Sequence, residues 1–175
     1  TQWNEAAEIR HAEAVAHITD ARAQATISPA LLVATLSEMA PAGTIFVDET
    51  ITHRPAIIGH LKTDGPTSYL RVHGGLGQAM GVALGAKLAA PDQMVITTLG
   101  DGTFLYNPAV QALAFARTNN IATLTVILNN HGYNAMRKDQ EGYFPDGVAA
   151  KKTCLVLIFA CHLIDGHCCD NVEIQ

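Results

Sequence analysis

Apolar residues in this chain are gathered into short continuous runs, and segments with helical periodicity separate these runs. Two of them, at 94–99 and 122–128, lie on either side of one helical segment. Runs of this length are typical of strands buried on both faces, and two of them around a helix predict a right-handed βαβ unit with parallel strands. A shorter run at 44–47 predicts a third buried strand. The pattern therefore indicates an α/β fold.

Composition divides the chain into three parts. Residues 1–27 are rich in alanine and charge but poor in large apolar residues, which predicts a linker helix with solvated histidines at positions 11 and 17. Residues 28–150 contain the predicted sheet and its helices and form the main domain. Residues 151–175 form an atypical tail.

Three further local expectations concern the main domain. A first helix is expected to begin at Ser28-Pro29, with serine as the N-cap and proline in the first turn. The helix at about 108–118 is expected to bury one apolar face, and residues 137–141 are expected to form a charged loop. The apolar face comprises Val110, Leu113, Ala114 and Phe115.

Polar residues follow both strands of the βαβ unit at the point where each strand ends. Gly100-Asp101-Gly102 follows the first, and Asn129-Asn130-His131-Gly132 follows the second. Parallel neighbours lie roughly 4.8 Å apart and end at the same sheet edge, so Asp101 and Asn130 are expected to share one small volume. Their oxygens suit Mg²⁺ or Ca²⁺ and not Zn²⁺, and Mg²⁺ typically accepts so few protein ligands when a phosphate completes its coordination.

Neighbouring residues support a Mg²⁺-diphosphate site at this edge. The glycines beside Asp101 let backbone approach a phosphate, and a helix beginning near Asn107-Pro108 would point its N-terminus to the same side. Asn130-His131-Gly132 is equally compatible with a simple β-turn. A third polar cluster, 48–52, either borders the same edge or forms a surface turn in which an acidic residue caps a helix near Arg54-Pro55.

Bulk properties exclude several functional classes. The chain has 175 residues, 49% hydrophobic content and a net charge of -5, which fits one domain with a sizeable core. It has no basic block and no long apolar span, so neither nucleic acid nor membrane is an expected partner. Because neither a start methionine nor a targeting segment is present, we expect a cytoplasmic protein and a piece of a larger chain.

The double motif resembles that of thiamine-diphosphate-dependent enzymes. Gly-Asp-Gly is followed after about 26 residues by Asn-Asn, and the glycine-rich segment 73–81 lies upstream, as in that family. The likeness covers roughly residues 28–147 and is to the C-terminal cofactor-binding domain of benzoylformate decarboxylase and the acetolactate synthase large subunit. It implies a three-layer fold, in which a parallel sheet carries helices on both faces, with an incomplete C-terminal part.

The resemblance also implies roles for individual residues. It implies that Asp101, Asn130 and the Gly132 carbonyl hold Mg²⁺, and that Leu76 is the apolar wedge that bends thiamine diphosphate. It places the backbone of the Gly74 position at the aminopyrimidine ring and Ile51 and Thr52 at the diphosphate. The complete implied cofactor-binding set is Ile51, Thr52, Gly74, Gly75, Leu76, Asp101, Gly102, Thr103, Asn130, Gly132 and Tyr133.

The implied function is to make or break a carbon–carbon bond next to the carbonyl of a 2-oxo acid or aldehyde. In relatives a glutamate from a pyrimidine-binding domain completes the site. That domain belongs to the same enzyme or to a second subunit of a homodimer or homotetramer. No residue of this chain matches the glutamate. A non-catalytic remnant that keeps the fold is therefore the alternative. A nicotinamide site is disfavoured because 74–77 lacks the G-x-G-x-x-G pattern.

The tail departs from the family pattern. All four cysteines fall in 151–175, where they accompany His162 and His167. A zinc site there is disfavoured because the paired C-x-x-C spacing is absent. We expect the tail to replace the last strands and helices of relatives, as a truncated, alternatively spliced or frame-shifted end would.

Overall fold

A computed structural model describes residues 2–23 and 27–147 of the chain. The expectations about the tail, including the zinc site, and about the His11 side chain lie outside the described residues. The elements in chain order are α1 (Gln2–Arg22), α2 (Pro29–Met39), β1 (Ile45–Glu49), α3 (Arg54–His60), β2 (Tyr69–Arg71), α4 (Ala79–Ala89), β3 (Val95–Gly100), α5 (Asp101–Tyr106), α6 (Ala109–Thr118), β4 (Leu124–Leu128) and α7 (Asn134–Tyr143).

The four strands form one parallel sheet in the order β2-β1-β3-β4. Strands β3 and β4 are parallel neighbours, with Gly100 opposite Leu128, so the predicted pairing of the βαβ unit is confirmed. The predicted burial of β4 is wrong: β4 lies at the edge of the described sheet, and of its residues only Leu128 is buried. Every residue of β1 is buried, and so are the first five of β3, which requires cover on both faces of the sheet. The predicted parallel α/β fold is therefore confirmed.

Helix α4 covers one face of the sheet at close range. Its small residues Ala79 and Ala83 are fully buried against a core that includes Val47 of β1 and Leu99 of β3. A helix surface made of alanine and glycine lets the helix axis approach the strands, which brings the glycine-rich segment before α4 to the carboxyl edge of the sheet.

The beginning of the chain agrees with its sequence pattern. Helix α1 occupies most of the segment predicted to be helical and joins α2 through an exposed ion pair of 2.6 Å between Arg22 and Glu38. The Ser28 hydroxyl accepts a hydrogen bond from the Leu31 amide at 3.1 Å, which confirms the predicted N-cap of α2. No described helix combines the length and the hydrophobicity that crossing a membrane requires.

Three element boundaries differ from expectation. Strand β1 continues through Asp48 and Glu49 instead of ending at residue 47, because both carboxylates find donors inside the protein. Helix α5 starts at Asp101 directly after β3, where an acidic residue in the first turn favours the helix. Helix α7 replaces the predicted charged loop at 137–141, since its residues are strong helix formers.

The predicted burial of α6 is wrong. Val110, Leu113 and Phe115 are 78%, 56% and 48% exposed, whereas Ala112 is buried. The helix packs against α4 through its small residues. Its large apolar side chains therefore lie on the opposite side of the helix, where no described residue covers them.

Candidate functional site

Loops from three strands meet at the carboxyl edge of the sheet and enclose a cavity of about 240 Å³. The loop after β1, the start of α5 after β3 and the loop after β4 all contribute to its wall. Its lining includes Ile51, Thr52, His53, Leu76, Asp101, Gly102, Thr103, Asn130, Gly132 and Tyr133. The geometry thus brings together most of the residues that the sequence motifs single out.

Three oxygen atoms converge in this cavity. The side-chain oxygen of Asn130 lies 3.3 Å from Asp101 Oδ1 and 2.7 Å from the carbonyl oxygen of Gly132. No donor hydrogen lies between these atoms in this orientation of the amide. Turning the amide over would let its nitrogen donate to both oxygens, and Asn134 Nδ2 also lies 3.0 Å from the amide. The oxygens therefore need either a reversed amide or a cation between them.

The separations and the chemistry of these oxygens fit Mg²⁺. Adjacent ligands of an octahedral ion with bonds of about 2.1 Å lie roughly 3.0 Å apart. A carboxylate, an amide oxygen and a backbone carbonyl are hard ligands of the kind that Mg²⁺ prefers and Zn²⁺ does not. Among the described residues, no group of three or more His, Cys, Asp or Glu side chains is arranged to hold a metal.

The loop after β4 has the conformation that creates this arrangement. Asn129 Oδ1 accepts a hydrogen bond from the His131 amide at 2.9 Å, and His131 and Gly132 adopt positive φ values of 62° and 147°. The Gly132 amide then donates to Asp101 Oδ2 at 2.8 Å, which leaves Oδ1 directed at Asn130. The segment is a bend held by the Asn129 side chain, and this conformation brings its polar groups to Asp101.

The glycine-rich segment separates this cavity from a second one. Leu76 and Ile51 line both the first cavity and a neighbouring cavity of about 460 Å³, which Gly74 and Gly75 also line. Gly77 has φ +92°, and a Cβ there would lie 2.2 Å from the carbonyl oxygen of Tyr106. Only glycine lets this segment pass so close to α5 and bring Leu76 to the boundary between the cavities.

The first turn of α5 and Tyr133 form another part of the wall. A Cβ on Gly102 would lie 2.8 Å from the Tyr133 ring, so glycine allows the ring to pack on the backbone. Tyr133 meets Tyr106 edge to face at 6.3 Å between centroids. Burial, and then the proximity of Tyr106 and Asp101, raises the pKa of Tyr133, so its phenol stays neutral.

His53 is a residue of this cavity that the sequence motifs did not select. Its Nε2 lies 3.4 Å from Asn130 Nδ2. Burial lowers the pKa of His53, nearby Asp101 partly offsets this effect, and Lys138 reinforces it. Its position directly after Ile51 and Thr52 was the only sequence signal that could have identified it.

Asp48 and Glu49 do not form the surface turn that the sequence left open. Asp48 is fully buried and accepts hydrogen bonds from Thr50, Tyr69, Arg71 and Thr98. Glu49 accepts three bonds of 3.0 Å, from the Gln78 and Ala79 amides and Asn107 Nδ2. Glu49 thus holds the start of α4 instead of capping α3.

Sequence comparisons point to a single family. The sequence model described as "Thiamine pyrophosphate enzyme, C-terminal TPP binding domain" matches residues 52–158. Benzoylformate decarboxylase of Pseudomonas aeruginosa is 32% identical over 112 residues, which cover 63% of this chain and 21% of that protein. The acetolactate synthase large subunit of Parasynechococcus marenigrum is 28% identical over 130 residues, covering 73% and 20%. The chain therefore spans about a fifth of the length of these relatives.

Solved structures agree with the sequence comparisons. A thiamine diphosphate-dependent 4-hydroxybenzoylformate decarboxylase of Rhodococcus jostii RHA1 superimposes with a TM-score of 0.64 at 32% identity, over 71% of this chain and 24% of that one. Benzoylformate decarboxylase of Polynucleobacter necessarius shares the fold, with a TM-score of 0.63 at 23% identity, over 73% and 24%. The resemblance inferred from the double motif is confirmed: this chain belongs to the C-terminal thiamine pyrophosphate-binding domain family of thiamine pyrophosphate enzymes.

Proposed function

We propose that the chain binds thiamine diphosphate through Mg²⁺ and supplies this half of the active site of an enzyme that makes or breaks carbon–carbon bonds next to a carbonyl. The activity would be that of a 2-oxo acid decarboxylase, a lyase or an acetolactate-synthase-like enzyme. The observation that carries the proposal is the convergence of three oxygens from Asp101, Asn130 and Gly132 at the carboxyl edge of the sheet.

The ion would be held by those three oxygens, and the diphosphate would complete its coordination. Ile51, Thr52 and Thr103 surround the same cavity, where backbone and hydroxyl groups can donate to phosphate oxygens. Gly102 supports this role indirectly, because the missing side chain lets the Tyr133 ring pack on the backbone beside Asp101. Asp101 is thus proposed to bind the ion while its second oxygen fixes the Gly132 loop.

The organic part of the cofactor would lie across the boundary between the two cavities. Gly74 and Gly75 offer backbone groups to the aminopyrimidine ring in the larger cavity, and Leu76 fills the boundary where it would bend the cofactor. Tyr133 packs on the wall beside Asp101 and keeps water from the diphosphate end. When bound, thiamine diphosphate supplies the reactive carbon and the electron sink.

The carboxylate that activates the cofactor is proposed to come from a pyrimidine-binding domain of the same enzyme or of a second subunit. Glu49 lines the larger cavity, but both of its oxygens already accept hydrogen bonds from Gln78, Ala79 and Asn107. Releasing that carboxylate would leave buried donors without partners. The 2-oxo acid or aldehyde substrate would therefore react only in the assembly, for which we propose a homodimer or homotetramer.

Calorimetric titration of the chain with thiamine diphosphate, with and without Mg²⁺, tests the half-site. Wild type is expected to bind only with Mg²⁺, and Asp101→Ala to lose that binding because the charged ligand is gone. Asp92→Ala, in an exposed turn, is the matched control and should bind like wild type. A folded wild type that binds nothing would disprove the proposal.

The second candidate is a non-catalytic remnant that keeps the fold and associates with another subunit. It is favoured by the engagement of Glu49, whose two carboxylate oxygens already accept hydrogen bonds from Gln78, Ala79 and Asn107. Adding a separate pyrimidine-binding domain from a relative distinguishes the two. Turnover of a 2-oxo acid in the mixture supports the enzyme, and cofactor binding without turnover supports the remnant.

A further inference from the structure

The orientation of the Asn130 amide decides whether the three-oxygen cluster can hold a cation. With Oδ1 directed at Asp101 and Gly132, the cluster presents three oxygens, and Nδ2 points to His53 Nε2 at 3.4 Å. The amide also lies 3.0 Å from Asn134 Nδ2, and without an ion the reversed orientation is favoured, because its nitrogen then has acceptors in Asp101 and Gly132. With the amide reversed, its nitrogen would occupy the centre of the cluster and donate to the two oxygens at 3.3 and 2.7 Å. Only the first orientation is compatible with a bound ion.

Each orientation of the Asn130 amide requires a different state of His53 Nε2 if the two side chains are to form a hydrogen bond. An unprotonated Nε2 accepts a hydrogen bond from Asn130 Nδ2, and this keeps the amide oxygen on the metal side. A protonated Nε2 would instead donate to the amide oxygen and hold the reversed orientation. The tautomer of His53 and the orientation of Asn130 are therefore coupled.

The backbone holds His53 where this coupling can operate. His53 is the residue before α3, and its carbonyl oxygen accepts hydrogen bonds from the Ala56 and Ile57 amides at 3.0 and 3.3 Å. Ile57 is fully buried, which anchors the first turn of α3. The backbone of His53 is thus fixed by the first turn of α3, which packs against the core through Ile57.

We propose that His53 is a positioning residue of the ion site: its unprotonated Nε2 accepts a hydrogen bond from Asn130 Nδ2 and so keeps Asn130 Oδ1 directed at the ion. The proposal rests on the proposed function, because it assumes that the three oxygens bind Mg²⁺. Groups that orient a metal ligand typically change metal affinity by about 10- to 100-fold when removed.

The test measures Mn²⁺ affinity by electron paramagnetic resonance on the full chain, at saturating thiamine diphosphate and fixed pH. His53→Phe keeps the ring shape without the acceptor and is expected to weaken Mn²⁺ binding about 10-fold or more. His53→Gln keeps an acceptor at a similar distance and is expected to stay within about 3-fold of wild type. His60→Phe, at the other end of α3 and outside the cavity lining, is the control.

The outcomes separate this inference from the proposed function. Equal affinity of wild type and His53→Phe would overturn the positioning role while the Mg²⁺ site stands. Equal weakening in His53→Phe and His53→Gln would also overturn it, because the acceptor would then not matter. A wild type without Mn²⁺-dependent cofactor binding would defeat the proposed function and this inference together.

A measurement on the unmutated chain keeps the test independent of folding of the variants. The ¹⁵N chemical shift of His53 Nε2, measured with Mg²⁺ and thiamine diphosphate bound, reports whether this nitrogen carries a proton. An unprotonated Nε2 coupled to the Asn130 side-chain amide is expected. A protonated Nε2 in the loaded chain would overturn the proposal.

Discussion

Acidic residues lie at the carboxyl ends of both central strands, as the last two residues of β1 and as the residue directly after β3, yet their carboxylates have different surroundings. Asp48 and Glu49 of β1 are almost completely buried, whereas Asp101 after β3 is partly exposed in a cavity. A polar cluster at the end of a parallel strand is an expected ligand site in this class of fold. Both strand ends border the cavity, but only the carboxylate after β3 has the properties of an ion ligand.

The balance of donors and acceptors explains the difference. The Asp48 carboxylate accepts bonds from two side-chain hydroxyls at 2.7 and 3.2 Å, a phenol at 2.9 Å and a guanidinium at 2.6 Å, so protein groups satisfy it. Asp101 has one amide donor, at Oδ2, while Oδ1 faces another oxygen. An acidic cluster that the protein already satisfies is structural, and one that lacks donors can bind a cation.

The largest expected loss of stability comes from removing the buried carboxylate of Asp48, whose hydrogen bonds are all made within the protein. Asp48→Ala removes the only carboxylate that pairs with the guanidinium of Arg71 among the described residues, so that Arg71, which is 21% exposed, keeps only the Thr50 carbonyl oxygen as an acceptor. It also leaves donors of Thr50 and Thr98 without this acceptor. The free energy of unfolding in urea is expected to fall by about 3–5 kcal/mol, or the chain to fail to fold. Asp92→Ala in an exposed turn serves as the control. A loss below about 1 kcal/mol would remove the distinction drawn between the two strand ends.

Glu49→Gln is expected to have an intermediate effect. The substitution keeps size but replaces one oxygen by an amide nitrogen, which would face the donors of Ala79, Gln78 or Asn107. We expect urea unfolding to show a loss of about 1–3 kcal/mol, because one buried donor loses its acceptor. Hydrogen exchange should locate the change at the start of α4, and exchange there like that of wild type would contradict the role assigned to Glu49.

Tyr69, whose phenol donates a hydrogen bond to Asp48, should make the stability of the folded chain depend on pH in the alkaline range. Burial, the hydrogen bond to Asp48 and the charge of Asp48 raise the pKa of Tyr69 from 10.0 to about 12, against an opposing effect of Arg71. The folded state therefore favours the neutral phenol, so this contribution is complete below pH 10 and is lost as pH rises from 10 through about 12. Tyr69→Phe should cost about 1 kcal/mol at pH 8.

The check is the difference in unfolding free energy between wild type and Tyr69→Phe, measured in urea at pH 8 and at pH 11. Because lysines and other groups titrate in the same range in both proteins, the difference isolates Tyr69. It should shrink as the pH rises. A difference that is independent of pH would show that folding does not raise the pKa of Tyr69.

The sequence predicted those parts of the molecule that depend on local pattern. The runs at 94–99 and 122–128 gave β3 and β4 as parallel neighbours, because continuous apolar runs around one helix leave few other arrangements. The pairing of Asp101 with Asn130 followed from the same reasoning, since parallel neighbours end at one edge. Family membership then agreed with the spacing of the two motifs.

Features that depend on distant partners were not predictable in this way. Whether Asp48 and Glu49 face solvent is decided by donors on β2, β3 and the start of α4, which lie more than 20 residues away in the chain. The outward face of α6 follows from its contact with α4, which its own periodicity does not contain. His53 likewise gained meaning only from its contact with Asn130, 77 residues away.

Asp101→Ala is expected to change stability least, and it is the most direct test of the difference between the carboxylates at the ends of β1 and β3. Asp101→Ala removes one acceptor, for the Gly132 amide at 2.8 Å, but also removes an oxygen that faces another oxygen at 3.3 Å. These two contributions oppose each other in a partly exposed site, so the free energy of unfolding without ions should change by less than about 1 kcal/mol.

Adding Mg²⁺ and thiamine diphosphate should raise the melting temperature of wild type and leave that of Asp101→Ala unchanged, because a ligand stabilises only a folded state that binds it. If Asp101→Ala instead lost as much stability as Asp48→Ala, both strand ends would be structural, and the oxygen cluster would be no better a candidate for an ion site than the buried acids of β1.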